Sequence, residues 1–451
     1  MDNSATGNTQ TDFLEKMRRQ FDFGPYPRIP IEKTPRDNPN ELFIHNLVTP
    51  YYLRYQRVET HEGKLILDAG CGTGYKALIL AEANPGAKVV GIDISPKSIE
   101  LAQQRLDFHG FSDRVEFHVV AIEDLPQLEL QFDYINCDEV LYFFDDIAQG
   151  LAALRSVLKP EGIIRANLHN ALQRAVFFRA QELFGLMGLM EEGAEELAIP
   201  VVIETMKALK KGVDLKQRSW KSIYEQEGQD PREALLANHL LQGDKGYRIA
   251  DVFDGLERAG LNFLSMTNWR HWVVEDLFEE PDNLPSYLAM GLAASSPQDQ
   301  LTIYELLNPK HRLLDFWGAQ PLALEPRPSI TEWSLADWQT ARVWLHPQLR
   351  TEKLRSVAVR AIEERRPLVI SEYLSLPTLS PVPVDNSAVA LLLALWDEPL
   401  AFTELVERWR TLRPVNWVTM EPISPEAAGQ AVAEILTNLE VFLYVLVEKG
   451  E

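Results

Sequence analysis

The chain is 451 residues long and carries 44 Lys and Arg against 66 Asp and Glu, a formal net charge of −22 that repels phosphate backbones and argues against nucleic acid as a main partner. Hydrophobic residues at 46% and charged residues at 24% exclude wholesale disorder and fibrous architectures, and the length predicts two or three domains. No apolar run reaches the roughly 18 residues of a transmembrane helix, and Met1 to Gln10 lacks a basic-then-apolar leader, so no membrane association and a cytoplasmic location are expected.

Residues 1–60 read as an N-terminal arm and a cofactor-covering helix. A helical opening, Phe13 to Phe21, is followed by an extended stretch with Pro25, Pro27, Pro30 and Pro35, then by a helical pattern from Leu42 to Tyr55. From residue 61 apolar runs alternate with amphipathic ones. Strands are predicted at Leu65–Asp68, Lys88–Asp93, Val115–Val120, Phe132–Cys137 and Gly162–Leu168, with helices at Lys76–Asn84, Pro96–His109 and Ile147–Leu158 between them. This order predicts an α/β fold with a doubly wound, Rossmann-like parallel sheet. The alternation stops over 171–246, read as a helical insertion above the carboxyl ends of the strands. It resumes with a helix at Ile249–Ala259 and strands at Asn262–Met266 and Arg270–Val274, closing a domain at about residue 280. Residues 285–451 read as a separate C-terminal domain, mostly helical and partly winged-helix-like. Leu376 to Asp385 is expected as a linker or edge, and helices are expected at Ser387–Trp396, Phe402–Arg410 and Pro425–Leu439 before a strand at Val441–Val447.

The chemistry is concentrated after the first strand. Leu67-Asp68-Ala69-Gly70-Cys71-Gly72-Thr73-Gly74 runs from a strand ending on an acid into three alternate glycines. Such a turn lets a ligand approach bare backbone at a helix N-terminus. A dinucleotide fingerprint needs its third glycine at the position of Tyr75, which weakens the nicotinamide reading. The second strand ends on Asp93, about 20 residues on, where a carboxylate can accept both hydroxyls of a ribose.

With Asp68, Gly70, Gly72, Gly74 and Asp93 in these places, and with Leu158-Lys159-Pro160-Glu161-Gly162 leading into the fifth strand, the sequence resembles the class I S-adenosylmethionine-dependent methyltransferases over about residues 60–170. The resemblance implies S-adenosyl-L-methionine as cofactor, its methionine part on the glycine loop and Asp68, its ribose on Asp93 next to Ile94, and its adenine near Ile122 and Glu123. Ala121 stands where many relatives carry Asp. It also implies that Asn136 adjoins the cofactor and that Asp138, Glu139 and Tyr142, after the fourth strand, face the transferred methyl. The acids could equally cap the next helix and Tyr142 could be core. No Asn-Pro-Pro-Tyr motif is present, which argues against the familiar methylation of bases or of release-factor glutamine. His169, after the fifth strand, could take a proton from an acceptor or serve only as a hydrogen-bonding residue. Tyr51 and Tyr52 could close the cofactor site or staple the arm to the sheet.

Lys207, Lys210, Lys211, Lys216, Arg218 and Lys221 form a basic run in the insertion, a solvated face or a docking surface for an acidic protein. No His-Glu-x-x-His spacing occurs and only Cys71 and Cys137 are present, so no metal site is expected. The arrangement of catalytic domain, helical insertion and a C-terminal domain ending Asn438-Leu439-Glu440-Val441-Phe442-Leu443-Tyr444 resembles bacterial protein methyltransferases of the lysine type with a regulatory-like domain. The expected activity is therefore methyl transfer to a protein side chain, at nitrogen. The alternatives are a small-molecule methyltransferase with a helical lid, or a cofactor-binding partner protein without turnover.

Overall fold

The computed structural model describes residues 18, 19, 22, 25–191, 193, 195–220, 224, 231–322, 327–416 and 418–450. The expected helix Phe13–Phe21 and Lys221 lie wholly or mostly outside them. The central sheet is built from β1 (Leu65–Ala69), β2 (Lys88–Asp93), β3 (Val115–Val119), β4 (Phe132–Cys137), β5 (Leu158–His169), β6 (Asn262–Met266) and β7 (Leu313–Ala319), in the order β3-β2-β1-β4-β5-β7-β6. The first five strands pair in parallel, and β7 runs antiparallel between β5 and β6. The strand order reverses between β1 and β4, so the crevice for a ligand opens at their carboxyl ends.

Local chemistry starts and stops the helices that carry the chain between strands. Ser95 caps the helix Pro96–His109 by accepting from the Ser98 amide, with Pro96 in the first turn, and Gly110 ends it in a left-handed conformation. Asn170 caps Ala171–Leu186 by accepting from the Leu172 and Gln173 amides. Period-two side chains then split the sheet into two faces. Leu67, Ile135, Ile164 and Phe316 pack under the helices Ile147–Ser156, Ile249–Arg258 and Pro297–Leu307. Ile66, Tyr134, Ile163 and Trp317 point to the other face, against the helices Pro39–His45 and Val48–Tyr55.

Two domain expectations need correction. Arg270–Val274 is not a strand, since Trp269–Trp272 turns as a 3-10 helix, and the strand that completes the sheet is β7, well beyond residue 280. The C-terminal region does not have a core of its own either: the apolar cluster of the second sheet face continues through Leu47 and Tyr52 into Leu345, Leu436 and Val445. That region is mostly helical, as expected, with β8 (Arg342–Leu345), β9 (Leu368–Val369), β10 (Pro383–Val384), β11 (Leu400–Ala401) and β12 (Val445–Glu448). β8 lies between β11 and β12 in a three-stranded antiparallel sheet. The expected linker is a contact segment: Asn40 accepts from the Ser375 and Leu376 amides, and His271 meets the Leu376 carbonyl.

The insertion forms helices at Ala171–Leu186, Glu195–Ala208, Asp214–Ser219 and Arg232–Leu236 around its own cluster of Phe184, Val202, Met206 and Leu235. Its chain returns to the sheet at Tyr247, whose amide bonds the His169 carbonyl. Among the described residues no helix is long and apolar enough to cross a membrane.

Candidate active site

Asp68, next to last in β1, has its carboxylate buried against β4, where Asn136 Nδ2 donates to Oδ1 at 2.8 Å. Oδ2 is buried with no hydrogen-bond partner. Burial pushes the carboxyl up to about 7. An unpaired, buried carboxylate oxygen at the head of a glycine loop is the mark of a place built for a donor that comes with a ligand.

The loop itself needs its glycines. Gly70, Gly72 and Gly74 all have positive φ, and a Cβ on Gly72 would stand 2.2 Å from the Tyr26 carbonyl oxygen. The extended arm crosses the loop there: the Thr73 amide donates to the Tyr26 carbonyl at 3.1 Å and the Thr73 hydroxyl to the Pro27 carbonyl at 2.7 Å. Arg105, buried, donates to the carbonyls of Ile29, Pro30 and Thr73 and fastens the arm to the loop. Asp93 accepts from the Gly72 amide at 2.9 Å and from the Ser95 amide at 2.9 Å, and burial holds its carboxyl above the usual range despite these amides and that of the half-buried Ile94. Beyond β3, Ile122 is buried and Glu123 exposed at the start of a 3-10 turn.

Tyr52 departs from its expected place. Its hydroxyl lies 2.9 Å from Glu440 Oε1 and 3.1 Å from the Val447 carbonyl, either of which can take its one proton, and accepts from the Val447 amide, while Tyr51 donates to the Asp133 carbonyl at the start of β4. The helix Val48–Tyr55 thus packs at the amino ends of the strands, where it joins the sheet to the C-terminal domain. The arm at 25–31 crosses the glycine loop in its stead.

Asp138 also serves otherwise than expected. It is clamped by Lys76 Nζ at 3.1 Å, by Arg165 Nη2 at 3.3 Å and by Asn167 Nδ2. Burial acts to raise its pKa, but Lys76 and Arg165 outweigh it and hold the carboxyl far below the usual range, so Asp138 is a fixed anion and a poor proton acceptor. Arg165, itself buried, continues the network to Asp315 at 2.7 Å, Asn136 at 2.7 Å and His45 at 3.1 Å. Asn136 thereby links Asp68 to a rigid ionic pillar across β1, β4, β5 and β7.

Glu139 has positive φ, and its amide donates to Asn167 Oδ1. Its carboxylate pairs with Arg312. The second guanidinium nitrogen of Arg312 lies 3.3 Å from His169 Nε2. His169 stacks on Tyr142, centroids 4.4 Å apart, and its Nδ1 lies 2.6 Å from Asp244 Oδ1. Asp244 comes from the end of the insertion and is held by Arg174 and by Gln181 Nε2 at 2.9 Å. Burial acts to raise its pKa, but His169 and Arg174 keep the carboxyl below the usual range. Burial also lowers the His169 pKa, so at neutral pH the imidazole is uncharged, with Nδ1–H donated to Asp244 and the lone pair on Nε2. This is the hydrogen-bonding pattern of an oriented general base. Asp244, Arg174 and Arg312 escaped the sequence reading because each lies far along the chain from its partner.

The basic run of the insertion is a solvated helix end. Lys216 Nζ donates to the carbonyls of Lys207 and Leu209, and Lys207, Lys210, Lys211 and Arg218 are exposed.

Comparisons with known proteins bear on the family and the fold. The family model described as a methyltransferase domain matches residues 60–231. The ubiquinone biosynthesis O-methyltransferase of Thiobacillus denitrificans is 31% identical over 169 residues, 36% of this chain and 69% of that enzyme. An uncharacterised protein of Synechococcus sp. is 28% identical over 383 residues, 82% of this chain and 88% of its own. Among solved structures, PKMT2 from Rickettsia typhi superposes with a TM-score of 0.58 at 15% identity, covering 90% of this chain and 76% of that one, which is a likeness of fold. The same protein in complex with AdoHcy gives 0.56 at 15% identity, over 89% of this chain and 76% of that one.

Proposed function

The chain belongs to the S-adenosylmethionine-dependent methyltransferases, and from that premise we propose that it methylates a protein side chain at a nitrogen that gives up a proton to His169. The cofactor supplies an already activated sulfonium methyl, so the protein's task is to position, to exclude water and to handle one proton. Asp68 Oδ2 would hold the amino group of its methionine part, the backbone of Gly70, Gly72 and Gly74 would cradle it, Asp93 would hold the ribose beside Ile94, and Ile122 and Glu123 would flank the adenine. An unpartnered buried carboxylate oxygen next to bare backbone fits such a group. The pillar of Lys76, Asp138, Asn136 and Arg165 would keep Asp68 in register.

The observation that carries the proposal is the Asp244–His169–Arg312–Glu139 chain. A cation, Arg312, already lies between a carboxylate and the base-forming nitrogen of a neutral imidazole. A cationic acceptor side chain would find the same partners: Glu139 to attract its ammonium and Nε2 to take one proton, which frees the nitrogen lone pair that then attacks the methyl while the sulfur leaves with the electron pair of its bond to that methyl. Asp244 would stabilise the imidazolium so formed. Tyr142 would fix the ring plane, making it a positioning residue. The likeness of fold to PKMT2 covers 90% of this chain, more than a bare methyltransferase core spans, which supports this reading.

A second reading, oxygen methylation of a small molecule, is favoured by the named function of the Thiobacillus denitrificans relative and by the buried setting of the dyad. Incubation of a cell lysate with methyl-labelled S-adenosylmethionine separates the two. Label in a protein band supports the first, and label confined to the small-molecule fraction replaces it with the second.

A further inference from the structure

Between Arg270 and Lys310 the sequence has no Lys or Arg, while Glu275, Asp276, Glu279, Glu280, Asp282, Asp299 and Glu305 all fall in this stretch. Glu279, Glu280 and Asp282 are exposed. They lead directly into the helix Ser286–Ala294, whose nine residues, SYLAMGLAA, include no charge. A helix apolar all round is ordinarily buried all round. This one buries only Leu292, with Leu288 packed beside it against the sheet-side core. Tyr287, Met290, Gly291 and Ala294 recur at the i, i+3, i+4, i+7 spacing of a single stripe on the outward side. Tyr287 is 88% and Met290 65% exposed, and a Cβ on Gly291 would meet nothing within 4 Å. The stripe is a second apolar face with no partner within the described chain, and the missing side chain of Gly291 leaves room for another backbone to come close.

The helix that follows, Pro297–Leu307, ties this surface to the active site. Its Glu305 is buried against Arg248 and accepts from Asn170, the residue next to His169. The stripe's helix is thus one short connection away from the helix that contacts the neighbour of His169.

We propose that the Tyr287–Ala294 stripe and its acidic lead-in dock an amphipathic segment of the acceptor protein that carries Lys or Arg beside an apolar face. The proposal rests on the reading that the acceptor is a protein. The apolar stripe supplies the contact area. The acids select a basic partner, and the chain's overall charge of −22 draws such a partner in from a distance. An acidic amphipathic segment meets the same apolar stripe but is repelled by the acids.

The test uses the full chain and two fluorescent amphipathic helical peptides, one of Leu and Lys, the other of Leu and Glu, followed by anisotropy. Binding of the Leu/Lys peptide alone is expected, weakening about tenfold or more between low salt and about 0.3 M salt. Tyr287→Ser with Met290→Ser, and Glu279→Gln with Glu280→Gln, should each weaken it by about tenfold. Gly291→Leu, which favours the helix while blocking the stripe, should do the same without lowering the melting temperature. Equal binding by wild type and all three variants, or binding of both peptides alike, overturns the proposal. So does a dimer in sedimentation that the Tyr287/Met290 pair abolishes, which would make a second copy the occupant, or binding to phosphatidylcholine vesicles. Because peptide binding needs no turnover, its failure with protein labelling intact rejects the docking surface alone. Peptide binding with label only in small molecules rejects the protein acceptor and, with it, the assignment of the docked segment to one, while leaving the surface as a binding site.

Discussion

His169 and Asp244 lie 75 residues apart in sequence yet bring Nδ1 and Oδ1 to 2.6 Å, across the junction between the sheet and the insertion. On the proposed function the insertion is therefore part of the chemistry and not only a cover. Asp244→Asn should lower kcat by about 10²- to 10⁴-fold, the usual worth of general-base catalysis, and also lower the melting temperature, because it removes the carboxylate that pairs with buried Arg174. The pH dependence gives the sign. The base works as the neutral imidazole, and burial lowers its pKa, so the acid limb of the kcat profile should lie under pH 6.5. Removing the Asp244 charge, which raises that pKa, should move the limb lower still. A kcat profile that does not shift in Asp244→Asn would show that His169 is not the group titrating.

Asp68 gives a second titration, with opposite sense. Its carboxyl titrates at about 7 in the folded protein because burial disfavours the anion. Folding therefore favours its protonated form, and the native state loses stability as pH rises from the unfolded carboxylate range through about 7. A cofactor ammonium on Oδ2 restores the anion, so binding should release about three quarters of a proton per site near pH 6.5 and tighten as pH rises toward 7.5. Titration calorimetry in buffers of different ionisation enthalpy reads this directly. Asp68→Asn should abolish the release and weaken binding by about 2 kcal/mol or more. Binding without proton release in the wild type would remove Asp68 from the cofactor site.

Gly72 tests the arm. A methyl group there would collide with the Tyr26 carbonyl and would also occupy positive φ, which costs a non-glycine residue about 1–2 kcal/mol. Gly72→Ala should free residues 25–31 from the loop and speed limited proteolysis within them. Gly63→Ala shares the positive φ but meets open space, and should leave that cleavage rate unchanged. Equal cleavage in both variants would mean that the arm does not depend on the loop for its place.

Truncation is informative at two points. A chain ending near Glu280 lacks β7, which pairs with β5 over seven residues and carries β6 on its other edge, so it should be insoluble. A chain ending at Gln320 keeps all seven strands but uncovers Leu47 and Tyr52. It should retain the circular dichroism of an α/β sheet while binding an apolar dye strongly. A soluble, dye-silent protein ending at Gln320 would show that the shared core is dispensable.

The parts legible in the sequence were those with local causes. Asp68 and the three glycines declare a strand-to-helix turn within eight residues, and the five parallel strands announce themselves by alternating with helices of ordinary length. β7 was hidden because its neighbours, β5 and β6, lie about 145 and 50 residues before it, and nothing in Leu313–Ala319 names them. Arg270–Val274 looked like a strand because its aromatic and branched residues have that propensity, and tertiary packing of Trp272 on Tyr304 and His311 overrode it. Tyr52 falls in a helical pattern that the sequence shows, but periodicity tells that a face is buried and not what buries it. Asp138 shows the same limit: its position after β4 was readable, whereas the Lys76 and Arg165 that fix its charge come from other elements.

The central claim, that His169 takes a proton from a protein nitrogen and so frees it to accept the methyl, is tested most directly by identifying the methylated product. Full-length wild type and His169→Gln are each incubated with lysate and methyl-labelled S-adenosylmethionine, the protein fraction is acid-hydrolysed, and the labelled amino acids are separated. The account predicts base-stable label recovered on a side-chain amine from the wild type, reduced at least about 100-fold by His169→Gln with cofactor affinity unchanged. Label recovered as a base-labile ester, found only in small molecules, or undiminished in His169→Gln would contradict it.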